Sequence, residues 1–121
     1  MIYVDANFWI YWFDQRLPEH EHVLRAMRQA MKEGVIINVV TLMEVAHYFR
    51  NLAAEEFHEK LDTIQSLTTL KIVDLDVDLA KSALDRLAEY GRIGVGSRDS
   101  VIIATMESLG IVRIATHDKV F

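Results

Sequence analysis

Four acidic residues in this sequence are placed where they could form one reactive centre. Asp5 ends one apolar, β-rich run, and Glu44 lies in the first turn after another. Asp99 opens the last helical segment, and Asp118 follows the last apolar run. Carboxylates held close together repel one another, and a divalent cation removes that penalty. Ligation by oxygen alone suits Mg²⁺ or Mn²⁺ better than zinc. A group of this kind normally performs phosphoryl chemistry through metal-bound water.

Each of these carboxylates also has an ordinary structural explanation. Thr41-Leu-Met-Glu44 fits a capping box, in which the glutamate returns to the backbone of the first residue. Ser97 could cap the last helix, with Asp99 favoured in its first turn by the helix dipole, and Asp118 could be a turn residue. Asp5 is the hardest to explain in this way, because a buried charge needs a partner and no lysine or arginine is near it in sequence.

The elements that must position these residues are strands alternating with helices. Apolar runs predict four strands, at Met1–Val4, Val35–Val40, Lys71–Val73 and Val112–Ala115. Helical spacing predicts helices between them, the first one aromatic, and the connections are long enough for crossovers. We therefore predict a three-layer α/β/α single domain over residues 1–121 with a central, mostly parallel sheet.

The edge of such a sheet explains why the four carboxylates could meet. The carboxyl ends of parallel strands, and the amino ends of the helices that follow, lie along one edge, where ligands bind. The rule places all four there, but it is permissive and also admits Asp74 and Asp76. A cap at the start of the helix after the third strand is the ordinary explanation of Asp76.

Composition narrows the class of protein. The chain has 121 residues, no cysteine and a formal net charge of −5, so a disulfide framework and thiolate metal sites are excluded. No apolar run approaches the roughly 18 residues that span a bilayer, and the amino terminus does not resemble a signal peptide. We expect a cytoplasmic protein that does not associate with membranes. The acidic charge argues against general coating of nucleic acid but allows a nuclease whose acidic site is neutralised by metal.

Four segments, in order and over the whole chain, resemble the PIN-domain ribonucleases. They are Asp5-Ala-Asn7, Thr41-Leu-Met-Glu44, Arg98-Asp99-Ser-Val-Ile-Ile-Ala104 and Thr116-His-Asp118. The most similar type is the VapC toxin of prokaryotic VapBC toxin–antitoxin pairs. The resemblance implies an endoribonuclease, dependent on Mg²⁺ or Mn²⁺, in which a metal-activated water attacks in line with the departing 3′ oxygen. It also implies an RNA substrate, a cognate antitoxin and a homodimer.

The resemblance also assigns roles to residues. The implied metal ligands and catalytic residues are Asp5, Glu44, Asp99 and Asp118. Small polar residues that support such a cluster match Asn7 and Thr116, and Arg98 is our candidate for binding substrate phosphate. The family usually continues into another short strand after its last aspartate, whereas this sequence ends at Phe121. We expect that strand to be absent and the Asp118 side of the site to be weaker for it.

Other features are open to more than one explanation. Phe8 or Tyr11 could remain outside the core and serve a partner, whereas His20 and His22 do not share a helical face and are not a metal pair. Further cations that could hold phosphate are Arg50, Arg92, Arg113 and Lys119. A receiver-like signalling domain would need an acidic pair after the first strand, and a dehalogenase-type phosphatase would need Asp at position 7. A non-catalytic module with the same fold is the remaining alternative.

Overall fold

The computed structural model describes residues 1–118 and Phe121, and within them the chain forms four strands and six α-helices. The strands are β1 (Ile2–Val4), β2 (Val35–Asn38), β3 (Leu70–Val73) and β4 (Ile114–Ala115). The helices are α1 (Ala6–Phe13), α2 (His20–Glu33), α3 (Val39–Tyr48), α4 (Ala54–Gln65), α5 (Val77–Tyr90) and α6 (Ser97–Leu109), and a 3₁₀ turn (Gly91–Ile93) follows α5. No helix in this part of the chain is both long and apolar enough to span a bilayer.

The four strands form one parallel sheet in the order β3-β2-β1-β4. Ile2 lies opposite Val35 on one side of β1, and Tyr3 lies opposite Ile114 on the other. The predicted α/β class, with a central parallel sheet flanked by helices, is confirmed. Because β1 is central, its carboxyl end and that of β4 are neighbours at one edge, where residues from both can meet.

The core lies against both faces of this sheet. All four residues of β2 are buried, as expected of a parallel strand covered by helices on each side. Trp9 of α1 and Ile102 of α6 are fully buried with it. The indole Nε1 of Trp9 donates to the carbonyl of Val4 at 3.1 Å, which satisfies the one polar group of that side chain.

The boundary between β2 and α3 differs from the prediction. The strand ends at Asn38 rather than Val40, because the Asn38 side chain accepts a hydrogen bond from the Val40 amide at 3.0 Å and caps α3. The helix therefore begins at Val39, two residues before the predicted start at Thr41. The side-chain amide (Nδ2) of Asn38 also donates to Thr105 Oγ1 of α6 at 3.2 Å. This bond joins the two helices that carry Glu44 and Asp99.

Other helix ends agree or differ for local reasons. Asp76 caps α5 by accepting a hydrogen bond from the Leu79 amide at 2.8 Å, which is the role that its ordinary explanation gave it. Ser97 does not cap α6: Gly96 occupies that position and makes no side-chain bond. Gly34 and Gly110 end α2 and α6 with φ of 97° and 68°, a left-handed backbone that other residues rarely adopt.

Candidate active site

Asp5 joins the end of β1 to the start of α1. The side chain is buried, its Oδ1 accepts from the Ala6 amide at 2.7 Å, and its Oδ2 accepts from Thr116 Oγ1 at 2.7 Å. It is therefore the N-cap of α1, a position that favours negative charge. The Asp5 carboxylate, which has no cationic neighbour in the sequence, is thus stabilised by a helix terminus and by a hydroxyl from a residue 111 positions away.

The loop after β4 is tied to the same place. Thr116 Oγ1, which donates to Asp5, accepts from the Asp118 amide at 2.9 Å. The His117 amide donates to Asn7 Oδ1 at 3.4 Å. Asn7 and Thr116 thus hold the Asp118 loop against α1, and Thr116 also orients Asp5; their support of a metal cluster stays a prediction.

Glu44 is half-buried on α3 and points towards α6. Its Oε2 lies 2.9 Å from Nε of Arg98, while its Oε1 is buried without a hydrogen-bond partner in the described residues. Thr41 is fully buried and its hydroxyl hydrogen-bonds to Tyr3 Oη at 2.7 Å. The capping-box explanation of Glu44 is therefore wrong, because neither of its residues makes the contacts that motif requires.

The four carboxylates influence one another electrostatically. Burial raises the pKa of Glu44 to about 7, the Arg98 guanidinium opposes the rise, and the charges of Asp5 and Asp99 add to it. Burial also raises the pKa of Asp99, with a further rise from the charge of Asp118, a fall from Arg98 and a smaller rise from Asp5. The residues drawn from four distant segments therefore form one acidic cluster (Asp5, Glu44, Asp99 and Asp118).

A cavity of about 830 Å³ opens over this cluster. Asp5, Asn7, Glu44, Arg98 and Asp118 line it, while Asp99 is buried and is not part of its wall. Most of its remaining wall comes from residues that sequence reasoning did not single out: Ala6, Ile10, Val40, Met43, His47 and Tyr48. Their one signal in sequence is spacing, since several lie within a turn of Asp5 or Glu44 on the same helix.

The residues present suit a divalent cation chemically, although their present positions do not enclose one. In residues 1–118 and 121, no three acidic or histidine side chains form a group that could hold a metal ion as they stand. The donor set is carboxylate oxygen, which Mg²⁺ and Mn²⁺ prefer, and Glu44 Oε1 is buried without a hydrogen bond from the part of the chain that the structure describes. Arg98 neutralises the other oxygen of Glu44, so a bound cation would take over the role that this guanidinium now has.

The remaining candidates lie elsewhere. Arg113 pairs with Glu33 at 2.6 Å near the amino ends of the strands, away from the acidic cluster. Lys119 lies outside the described residues. His20 Nδ1 contacts the carbonyl of Tyr11 at 2.8 Å, which gives that histidine a structural role between α1 and α2. The ring of Tyr11, like that of Phe8, packs against the His117 ring, with centroids 4.9 and 5.1 Å apart.

The fold and the acidic cluster together define a class: a parallel α/β domain with coupled carboxylates at the carboxyl edge of its sheet. The chain belongs to the PIN domain family, whose model matches residues 2–121. The resemblance seen in the sequence is thereby confirmed. No curated protein sequence matches the chain significantly.

Solved structures with the same fold are toxins and toxin–antitoxin complexes. Mycobacterium tuberculosis VapC20, described as a sarcin–ricin loop cleaving toxin, superposes with a TM-score of 0.79 at 16% identity, covering 98% of this chain and 90% of that one. VapBC2 from Rickettsia felis, bound to a promoter DNA fragment, gives 0.72 at 19% identity, with coverage of 98% and 89%. DNA-bound VapBC from Salmonella typhimurium gives 0.65 at 21%, with coverage of 94% and 96%. The fold of this chain is that of the VapC toxins.

Proposed function

We propose that this chain is an endoribonuclease dependent on Mg²⁺ or Mn²⁺ and the toxin of a toxin–antitoxin pair. The observation that carries the proposal is the acidic cluster. In it, carboxylates from other segments lie close enough to raise the pKa values of Glu44 and Asp99. Membership of the PIN family supports nuclease activity. The similarity to VapC20, described as a sarcin–ricin loop cleaving toxin, and to two VapBC complexes supports the toxin role.

The acidic cluster would provide the ligands of the metal site. Its members would hold the cation directly or through water: Asp5, Glu44, Asp99 and Asp118. A divalent cation bound there would supply an activated water and stabilise charge on the leaving 3′ oxygen. Thr116 orients the Asp5 carboxylate and fixes the backbone at Asp118, because its hydroxyl donates to Asp5 and accepts from the Asp118 amide.

Arg98 would alternate between two partners. Its side chain is 57% exposed and now neutralises Glu44. When the cation neutralises Glu44 instead, the guanidinium becomes free to bind a phosphate of the RNA, for which its planar fork is suited. Replacement of Arg98 by alanine would then weaken RNA binding more than metal binding.

The expected partners follow from the same proposal. They are an RNA substrate, a cognate antitoxin protein and a second copy of this chain, all within the cytoplasm. The VapBC complexes among the solved structures support the antitoxin. Co-expression with the product of the neighbouring gene, followed by purification of the pair, tests that partner directly.

Replacement of cluster carboxylates tests the nuclease. We expect Asp5→Asn and Asp99→Asn each to lower Mg²⁺- or Mn²⁺-dependent RNA cleavage by at least about 100-fold, because loss of a direct ligand costs more than loss of the groups that support one. Asp85→Asn, an exposed site on α5, is the matched control and should cleave like the native chain. Circular dichroism confirms folding, and undiminished cleavage by either cluster variant would refute the assignment.

A further inference from the structure

The cavity over the acidic cluster has a second wall that metal and phosphate chemistry does not use. Besides the carboxylates, it is lined by Ile10, Val40, Met43 and Tyr48. Met43 is 69% exposed and Tyr48 is 41% exposed, although both belong to the mostly apolar helix α3. An apolar wall beside a few convergent charged groups is the usual composition of a site that binds an organic ligand.

Tyr48 is exposed and yet held in place. Its hydroxyl donates to Asp14 Oδ2 at 3.0 Å, and its ring meets the Phe49 ring edge-on, with centroids 4.9 Å apart. Asp14 is itself buried and fixed, because Arg16 binds both of its oxygens at 2.9 Å. The ring is therefore held in one orientation at the wall of the cavity. Because it is already ordered, binding of a ligand would cost it little conformational entropy.

The Tyr48 ring lies on the same helix as Glu44 and lines the same cavity. Tyr48 is four residues after Glu44 on α3, so the two side chains share a helical face at about 5–6 Å between Cβ atoms. His47 and Arg50 line the same cavity. Arg50 keeps most of its guanidinium available, since its one described hydrogen bond is from Nη1 to the His47 carbonyl. An aromatic ring, an acidic residue and an arginine thus line one cavity.

We propose that Tyr48 is the stacking platform for a nucleobase of the RNA, on the nucleotide next to the scissile phosphate. The proposal rests on the function proposed above and adds a base subsite to it. Stacking on an aromatic side chain is the general way in which proteins hold unpaired bases, and each such contact changes affinity by about tenfold or more. Met43 would pack along the edge of the base, and Arg50 would contact the neighbouring phosphate.

Cleavage kinetics of Tyr48 variants give the first test. We expect Tyr48→Ala to raise KM for a single-stranded RNA about tenfold with kcat little changed, because the ring acts in binding. Tyr48→Phe and Tyr48→Trp keep a ring and should stay within about threefold of the native KM. Tyr90→Ala, at the end of α5 away from the cavity, is the matched control. A fall in kcat at constant KM would mean that Tyr48 only positions α3, and would overturn the proposal.

Direct detection of stacking gives the second test and separates the two proposals. In the non-cleaving Asp99→Asn background, an oligoribonucleotide with 2-aminopurine beside the cleavage site should lose fluorescence on binding, and this quenching should disappear with Tyr48→Ala. Unchanged quenching in that variant would refute the base subsite. So would a Tyr48-dependent site that takes an acidic peptide but no oligonucleotide. If the native chain cleaves no RNA while Tyr48-dependent quenching persists, the nuclease proposal fails and the base subsite stands.

Discussion

Glu44 is a member of the acidic cluster whose pKa is set both by burial and by neighbouring charges. It is close enough to Asp5 and Asp99 for their charges to raise its pKa, and burial contributes the largest part of the rise to about 7. One of its oxygens is paired with Arg98 and the other has no hydrogen-bond partner in the described residues. When Glu44 is ionised without a cation, the folded state therefore carries an incompletely compensated buried charge.

Replacing Glu44 by glutamine should stabilise the metal-free protein above neutral pH. The folded pKa exceeds that of the unfolded chain, so the native protein loses stability as pH rises from about 4.5 through 7. Glutamine cannot ionise, so Glu44→Gln avoids the loss, by roughly 1–3 kcal/mol for this mostly buried group. Thermal denaturation at pH 8 with EDTA measures it, and the exposed Glu59→Gln is the control.

The same pair of proteins tests the metal. A ligand that binds only the folded state raises its melting temperature by mass action. Millimolar Mg²⁺ or Mn²⁺ should raise the melting temperature of the native chain and raise that of Glu44→Gln less. If neither ion shifts the native protein, or if both proteins respond equally, Glu44 is not part of a cation site.

At the scale of elements, Asp14 connects the end of α1 to the end of α3. It is the C-cap of α1, and its carboxylate receives hydrogen bonds from Arg16 and from Tyr48 of α3. Asp5 lies at the other end of α1, and Glu44 lies in the middle of α3. The contact at Asp14 therefore fixes the placement of these two helices relative to each other. The hydrogen bonds from Arg16 hold the pKa of Asp14 well below its usual range, although burial opposes them.

Acid should weaken this connection in a predictable window. Because the folded pKa is depressed, the stability from Asp14 is present above the unfolded pKa of about 3.9 and is lost as pH falls below it. Asp14→Asn should therefore cost about 2 kcal/mol at pH 7, and its difference from the native chain should shrink between pH 4 and 2.5. Urea denaturation across this range measures the difference. The exposed Asp62→Asn should show no such trend, and a constant gap for Asp14→Asn would contradict the assignment.

The elements themselves were largely predictable, because each strand and helix carries its own apolar period. The errors occurred where a distant contact decides a local choice. Thr41 looked like a helix cap, yet it turns inward to bond Tyr3, 38 residues away, and Asn38 caps the helix instead. Local spacing cannot reveal such a pairing, since only the parallel alignment of β1 and β2 creates it.

The site was predictable in the same partial way. The rule that parallel strands end at one edge nominates Asp5 and Asp118, and the structure ties their segments together through Thr116. It could not foresee that Arg98 pairs with Glu44, because that contact depends on how α6 packs beside α3. It also could not foresee the fixed ring of Tyr48, whose anchor on α1 is 34 residues away.

At the scale of the whole molecule, the charges are unevenly placed. The chain carries a formal net charge of −5, yet Arg50 and Arg98 line the cavity that also holds residues of the acidic cluster. Phosphates of an RNA would meet cations at the rim while the carboxylates beneath are neutralised by metal. Such local complementarity permits an acidic protein to bind a polyanion, with an affinity that should fall as salt concentration rises.

A large apolar surface on α5 is the best candidate for the expected contact between two copies. Val77 and Leu84, two turns apart on this helix, are 70% and 62% exposed, and Ile93 in the following 3₁₀ turn is 74% exposed. Several exposed apolar groups on one element often mark an interface, and a symmetric pair would cover both copies of the same surface. Leu84→Glu would bring two buried charges together there, so we expect it to convert a dimer to a monomer in sedimentation velocity.

Val112→Glu is the control, since Val112 is 89% exposed but lies in the loop before β4. A native chain that stays monomeric at high concentration, or a Leu84→Glu dimer, would rule out this interface.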